Sequence, residues 1–315
     1  MNAGPLMGRG GVCVLASFMY DLVATAPRRP GPGETLIGSH FATFVGGKGF
    51  NQAVAAARVG AATTVIGRLG EDLFGTEFRE FLAGEGIGAV DLRTDPEHGT
   101  GVGLPVLDPA GQNSIIVIPR ANLAVTVADV EAARDRIESA AVLLLQLELP
   151  MDATVHAARI ARAAGVRVLL NPAPAATVPT DLMDAVDVLI PNEGELRQLT
   201  GAGPDEPVLD VARRAAAGRT HALIVTLGPD GALVLEPGRP EVHVPGHRVD
   251  VVDTIGAGDA FCGSLGARLA AGDALTEAVA FANAAAAVAV TRRGGAPAAP
   301  TRAEVLELAG APVGT

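Results

Sequence analysis

Short uninterrupted apolar runs alternate with helix-period segments along most of this chain, and that alternation limits the fold more than any other feature. Residues 12–16, 63–66, 142–147, 166–170, 186–190 and 223–227 have the length and composition of strands covered on both faces. Between them, apolar positions recur at helical spacing over 51–59, 74–83, 127–137, 154–164 and 208–217. Such repetition predicts a doubly wound, mostly parallel α/β sheet flanked by helices, with ligands bound beyond the carboxyl ends of the strands. Two stretches break the pattern. Residues 34–45 and 101–118 are extended and β-rich with no helix between their strands, which predicts a small inserted β lid within one domain spanning 1–315. The ends, Met1–Gly10 and Ala311–Thr315, are expected to fray.

The strand ends carry the chemistry. Asp253-Thr254-Ile255-Gly256-Ala257-Gly258-Asp259 opens the helical pattern of 260–271. Backbone N–H groups at a helix start lack intrahelical partners, and the helix dipole adds positive charge there, so the turn suits an anion. Asp259 stands beside that hole, where it can take a proton from an attacking hydroxyl. A second glycine-rich helix start, Gly46-Gly47-Lys48-Gly49-Phe50-Asn51-Gln52-Ala53, holds the only lysine among the 24 lysines and arginines. Lys48 therefore answers a need that arginine does not meet, a compact ammonium or a backbone-hugging stem. Asn51 offers a polyol both a donor and an acceptor. The string is not a Walker A loop, which needs Gly-Lys-Ser/Thr after four spacers.

Asn192 and Glu195, three apart at a helix start, project to one side and are placed to orient metal-bound waters. Thr226-Leu227-Gly228 and Gln146-Leu147-Glu148 close two further strands at the same sheet edge. Each string also has a plainer reading as a glycine turn, a helix cap or an acidic first turn.

Composition removes other classes. A net charge of −11 and 3% aromatics leave neither the basic face nor the stacking surface that nucleic acid or an anionic membrane needs. Cys13 and Cys262 are the only thiols, too few for a disulfide framework or a four-thiol zinc site. With no secretory h-region and no apolar run of spanning length, the expectation is a soluble cytoplasmic protein.

Taken in order, the strings resemble the PfkB carbohydrate kinases. The resemblance rests on Ser17 to Asp21, the Gly46–Ala53 string, Gln146-Leu147-Glu148, Asn171-Pro172-Ala173-Pro174, Pro191–Glu195, Thr226-Leu227-Gly228, Asp253–Asp259 and residues 284–294. It implies transfer of the γ-phosphoryl group of ATP to the 5-hydroxyl of ribose. The related alternatives are 2-deoxyribose, another sugar or a nucleoside, and the remote one is a non-catalytic sugar or nucleotide sensor. A nicotinamide dehydrogenase is set aside, because no Gly-x-Gly-x-x-Gly follows the first strand.

By resemblance, Asp259 is the base and the N–H groups of Gly256, Ala257 and Gly258 form the anion hole. Met19, Asp21, Gly46, Gly47, Lys48, Asn51 and Glu148 face the sugar. Asn192, Glu195, Thr226, Gly228 and Gly258 face the nucleotide phosphates and Mg²⁺, with Asn283 near the adenine. Asp253, Ile255, Ala289, Arg292, Gly294 and Ala298 match positions around an activating monovalent cation, normally K⁺, mostly through backbone carbonyls. The lid is expected to pair with a partner's lid in a homodimer. Two positions depart from the family pattern: Met19 replaces an asparagine that contacts the sugar, and Ala298 replaces a serine at the cation site.

Overall fold

The computed structural model describes residues 10–108 and 113–310. The fraying expected at the two ends concerns residues that, Gly10 apart, lie outside this set. The described strands are β1 (Val12–Leu15), β2 (Met19–Thr25), β3 (His40–Gly46), β4 (Thr63–Gly70), β5 (Gly88–Asp95), β6 (Gly101–Leu107) and β7 (Asn113–Ile118). They continue with β8 (Val142–Leu145), β9 (Arg167–Leu170), β10 (Val188–Leu189), β11 (Ala222–Thr226), β12 (Ala232–Leu235) and β13 (Val242–Val244).

The large sheet runs β13-β12-β11-β10-β9-β8-β1-β4-β5. It is parallel from β5 to β11, with β12 and β13 added as an antiparallel ribbon. Its centre is covered on both faces, and β1 shows how. Val12, Val14 and Ala16 enter one core, whereas Cys13 and Leu15 enter the other, as the two-residue period of a strand requires. Helix Met151–Ala164 crosses from β8 to β9 and stops at Gly165, whose φ of 71° suits glycine at a helix end.

The small sheet has the order β3-β2-β6-β7. β2 pairs antiparallel with β3 from Met19–Gly46 to Thr25–His40, and parallel with β6. Three expectations change here. Residues 19–25 form a strand of the small sheet, outside both stretches expected to supply the lid. Within 34–45, strand begins only at His40, and the link between β6 and β7 lies outside the described residues. The helical pattern over 127–137 splits at Ala133 into Val127–Ala132 and Arg134–Ser139.

The carboxyl ends of β1, β8, β9, β10 and β11 open on one crevice. A backbone bridge between Asn192 and Thr226 extends the last pairing into it. The small sheet begins at the same place, since Met19 follows β1 by only three residues.

Candidate active site

The anion turn is held from both ends. Asp253 accepts the Ile255 N–H through Oδ1 and the Gly294 N–H through Oδ2, each at 3.0 Å, which binds the turn to the loop after helix Leu275–Ala289. Gly256 caps helix Ala257–Ala270 with φ 75° and packs so tightly that a Cβ would lie 2.7 Å from Gly295 Cα. The Ala257 N–H donates to the Thr254 carbonyl at 3.3 Å. Gly256 and Gly258 are thus the freer donors of the three residues expected to form the hole.

Asp259, 7% exposed, sits on the first turn of this helix. Asn51 Nδ2 donates to its Oδ2 at 2.9 Å and Gln52 Nε2 to its Oδ1 at 3.1 Å. Burial pushes the carboxyl above its ordinary range. Lys48 and the two amides oppose that shift, and Glu148 adds to it. Around Lys48 the balance reverses: burial lowers the ammonium's pKa, but Asp259, Glu148 and Glu195 together raise it above the ordinary value. The solitary lysine is therefore a half-buried cation among three carboxylates.

The side expected to face the sugar is built from β1, β2 and the second glycine turn. Gly47, at φ 100°, and Gly49 lie against the end of β1; Cβ atoms there would stand 2.6 Å from Ser17 O and 2.4 Å from Ala16 Cα. This closeness brings Glu148 Oε2 within 2.5 Å of Ser17 Oγ and 2.9 Å of the Lys48 N–H. Asp21 on β2 points toward its β6 partner Gly103, where a Cβ would be 2.0 Å from its Oδ1. Burial, with Glu148 nearby, lifts the Asp21 carboxyl to about 6. Met19 is buried beside it, opposite Gly46 on β3.

Two cavities adjoin on the other side. One, about 310 Å³, is lined by Lys48, Asn192, Glu195, Cys262 and Asp259. The other, about 340 Å³ and mostly apolar, is lined by Phe261, His247, Asn283, Ala287 and Val290. They share Thr226, Gly228, Thr254 and Gly258. Asn192 and Glu195 form a reciprocal helix cap, each side chain accepting the other's N–H at 2.8 Å. The cap reading of this pair is therefore realised, and it leaves Asn192 Nδ2 and Glu195 Oε1 outside the cap. Asn283 Nδ2 is used by the carbonyls of Val244 and Pro245 at 3.1 and 3.2 Å, so it ties β13 to the cavity wall.

At the expected cation position the donors are oxygens. Asp253 retains lone pairs beyond its two N–H bonds, and the loop carrying Gly294 (φ 92°) is fastened to it. The Ala289 carbonyl accepts the Arg292 N–H at 3.2 Å, while the Arg292 guanidinium turns to Glu304. Among the described residues no cluster of three or more His, Cys, Asp or Glu side chains could hold a metal, so any ion here would rest chiefly on backbone carbonyls.

Four residues escaped the sequence reading as site members. Ser17 joins Glu148 to the glycine turn, and its Oγ accepts the Gly49 N–H at 3.2 Å. Gln52, Gln146 and Asn171 form an amide chain behind Asp259. Polar residues ending strands were the available signal for Gln146 and Asn171.

Residues 10–302 match the pfkB family carbohydrate kinase profile. A ribokinase of Haemophilus influenzae is 36% identical over 296 residues, 93% of this chain and 96% of that protein. A deoxyribokinase of Salmonella typhi is 36% identical over 256 residues, 80% of this chain and 83% of that one. The structure of an Arabidopsis thaliana ribokinase complexed with ribose and ATP superposes with a TM-score of 0.89 at 31% identity, covering 97% of this chain and 100% of that chain. With likeness running from β1 into the last helix, and a buried carboxylate where two cavities meet a glycine-started helix, the chain belongs to the PfkB family of carbohydrate kinases, phosphotransferases acting on a sugar hydroxyl.

Proposed function

We propose that this kinase transfers the γ-phosphoryl group of ATP to the 5-hydroxyl of ribose. The observation that carries the reading is the position of Asp259, with the Asp21–Glu148 side on one flank and the paired cavities on the other. The 340 Å³ apolar cavity takes the adenine, and the shared edge of Thr226, Gly228 and Gly258 takes the phosphates. Asp259 receives the hydroxyl proton as the sugar oxygen bonds to the γ-phosphorus and the bond to the β-phosphate oxygen breaks. Gly256 and Gly258 N–H groups and Lys48 stabilise the charge on the transferring group. Asn192 and Glu195 fit a role beside Mg²⁺, which keeps most of its waters and lowers the charge of the phosphates. Asp253 with the carbonyls of its two loops fits a monovalent cation.

Met19 favours a second acceptor, 2-deoxyribose. A buried thioether cannot return the hydrogen bonds of a sugar hydroxyl, so a hydroxyl against it is left unpaired. Comparing kcat/KM for the two sugars at fixed ATP decides the matter: turnover with deoxyribose and none with ribose would overturn the first choice. Met19→Asn is expected to move the ratio toward ribose by about 10- to 100-fold. An unchanged ratio would remove Met19 from acceptor selection.

Sugar use should also depend on pH through Asp21. Its carboxyl, at about 6, is ionised above that pH and accepts hydrogen bonds from sugar hydroxyls; below it the group is neutral and loses acceptor capacity. kcat/KM for the sugar therefore falls as pH drops through about 6, and Asp21→Asn gives a low, flatter profile. A wild-type profile without that limb would refute the assignment.

We read the chain as one domain whose small sheet is the lid, and a second copy as its partner through that sheet. Phe41, Ile115, Ile116 and Val117 are more than half exposed or close to it there, at 63, 50, 64 and 52%. Sedimentation as a monomer at micromolar concentration would refute the dimer. The reading places the enzyme in the cytoplasm; no helix among the described residues is long and apolar enough to cross a membrane.

A further inference from the structure

Both oxygens of Asp259 are gripped by side-chain amides, and neither amide is free to turn over. Asn51 Oδ1 accepts the Ala296 N–H at 2.9 Å, so its Nδ2 has to face Asp259. On the other side, Asn171 Nδ2 donates to the Ile190 carbonyl at 2.9 Å, which leaves its Oδ1 toward Gln52. Gln52 Nε2 lies 3.4 Å from that oxygen and 3.1 Å from Asp259 Oδ1, while its Oε1 accepts Gln146 Nε2 at 2.6 Å. A reversed Gln52 amide would set its oxygen against two oxygens and its nitrogen against the Gln146 nitrogen. Backbone groups thus fix the polarity of the chain, because a peptide carbonyl cannot exchange its role with an N–H.

Gln52 is fully buried and Gln146 is 3% exposed, so neither is placed to bind a ligand. Burial of this kind is costly unless every polar atom is used. The cost falls where helix Lys48–Arg58 packs on helix Ala257–Ala270, at a contact where a Cβ on Gly263 would meet Gln52 O at 2.2 Å. An apolar side chain at position 52 would meet no polar demand except that of Asp259, Gln146 and Asn171.

We propose that Gln52, locked by Gln146 and Asn171, is a positioning residue that fixes the carboxylate plane of Asp259 so that one of its two unused lone pairs faces the acceptor hydroxyl. The proposal rests on the reading of Asp259 as the base. The titratable groups facing Asp259 are Lys48 from its own glycine turn, Glu148 after β8, and the neutral thiol of Cys262 one turn along the same helix, with Glu195 beyond Lys48. All stay in place when Gln52 is altered.

The experiment is steady-state kinetics against pH for Gln52→Met and Gln146→Met, with ATP binding measured by titration calorimetry. Gln52→Met is expected to lower kcat by about 10- to 100-fold, the scale of a misoriented catalytic group, with the ATP dissociation constant within about threefold. The acid limb of its kcat profile, set by Asp259 rather than Asp21, should move up by about one pH unit, since that carboxylate has lost a donor. Gln146→Met, which does not touch Asp259, should move both quantities in the same direction by less. Unchanged kcat and acid limb in both variants, or a loss confined to KM, would overturn the proposal. If Gln52→Met does not fold, Gln146→Met decides by the same criteria. Asp259→Asn separates the two ideas: near-normal turnover there removes the base itself, whereas a dead Asp259→Asn beside normal glutamine variants removes only the positioning role.

Discussion

Asp259→Asn lowers kcat by about 10²- to 10⁴-fold, the usual scale for loss of a general base, while ATP still binds within about threefold of its original affinity. The replacement is nearly isosteric in a site only 7% exposed, and the nucleotide cavities touch Asp259 at one edge alone. Asn51 and Gln52 donate to both carboxylate oxygens. An amide at position 259 can accept from one of them and must present its NH₂ to the other. That donor-to-donor contact adds a local penalty of about 1–3 kcal/mol and should appear as a lower Tm. Activity and stability therefore separate in this variant. Single-turnover phosphoryl transfer, titration of ATP and thermal melting measure the three effects, and near-normal transfer would make Asp259 a structural cap.

Sequence patterns reveal the large sheet because its strands are buried on both faces. Val142–Leu145 reads as a strand with no knowledge of its neighbours. β2 does not read so. Met19–Thr25 mixes Tyr, Asp and Thr with apolar residues, and its strand character comes from pairing with β3 and with β6, which lies far along the chain. For the same reason the lid stretch at 34–45 looks more extended than it is, since only residues from His40 onward find a partner strand.

The site divides along similar lines. Glycine turns and a lone lysine are local facts, and Lys48 does lie among Asp259, Glu148 and Glu195. Gln52 looks like any polar residue on a helix until the helix Ala257–Ala270 covers it. The reciprocal cap of Asn192 and Glu195 is legible as a helix start, but its spacing cannot say which oxygen is left over for a ligand.

Gly256→Ala should be nearly as damaging as loss of the base, although it adds one methyl group. At φ 75° an alanine is strained by about 1–2 kcal/mol. Its Cβ would also stand 2.7 Å from Gly295 Cα, a backbone atom that cannot swing aside. The loop of Gly294 to Ala296 has to retreat, and that loop holds Asp253 through the Gly294 N–H and Asn51 through the Ala296 N–H. One methyl thus disturbs the anion turn, its tether at Asp253, and the amide that orients Asp259. Loss of anion-hole donors alone costs about 10²- to 10³-fold in kcat, and a fall of that size is expected with a lower Tm. Gly258→Ala provides the contrast. Its φ is not positive and a Cβ there meets nothing within 4 Å, so the fold tolerates it. That Cβ enters the edge shared by the two cavities, where we propose that the phosphates lie. Gly258→Ala should therefore keep its Tm and raise KM for ATP. Equal effects of the two substitutions on Tm and on KM would show that the turn serves only to start the helix.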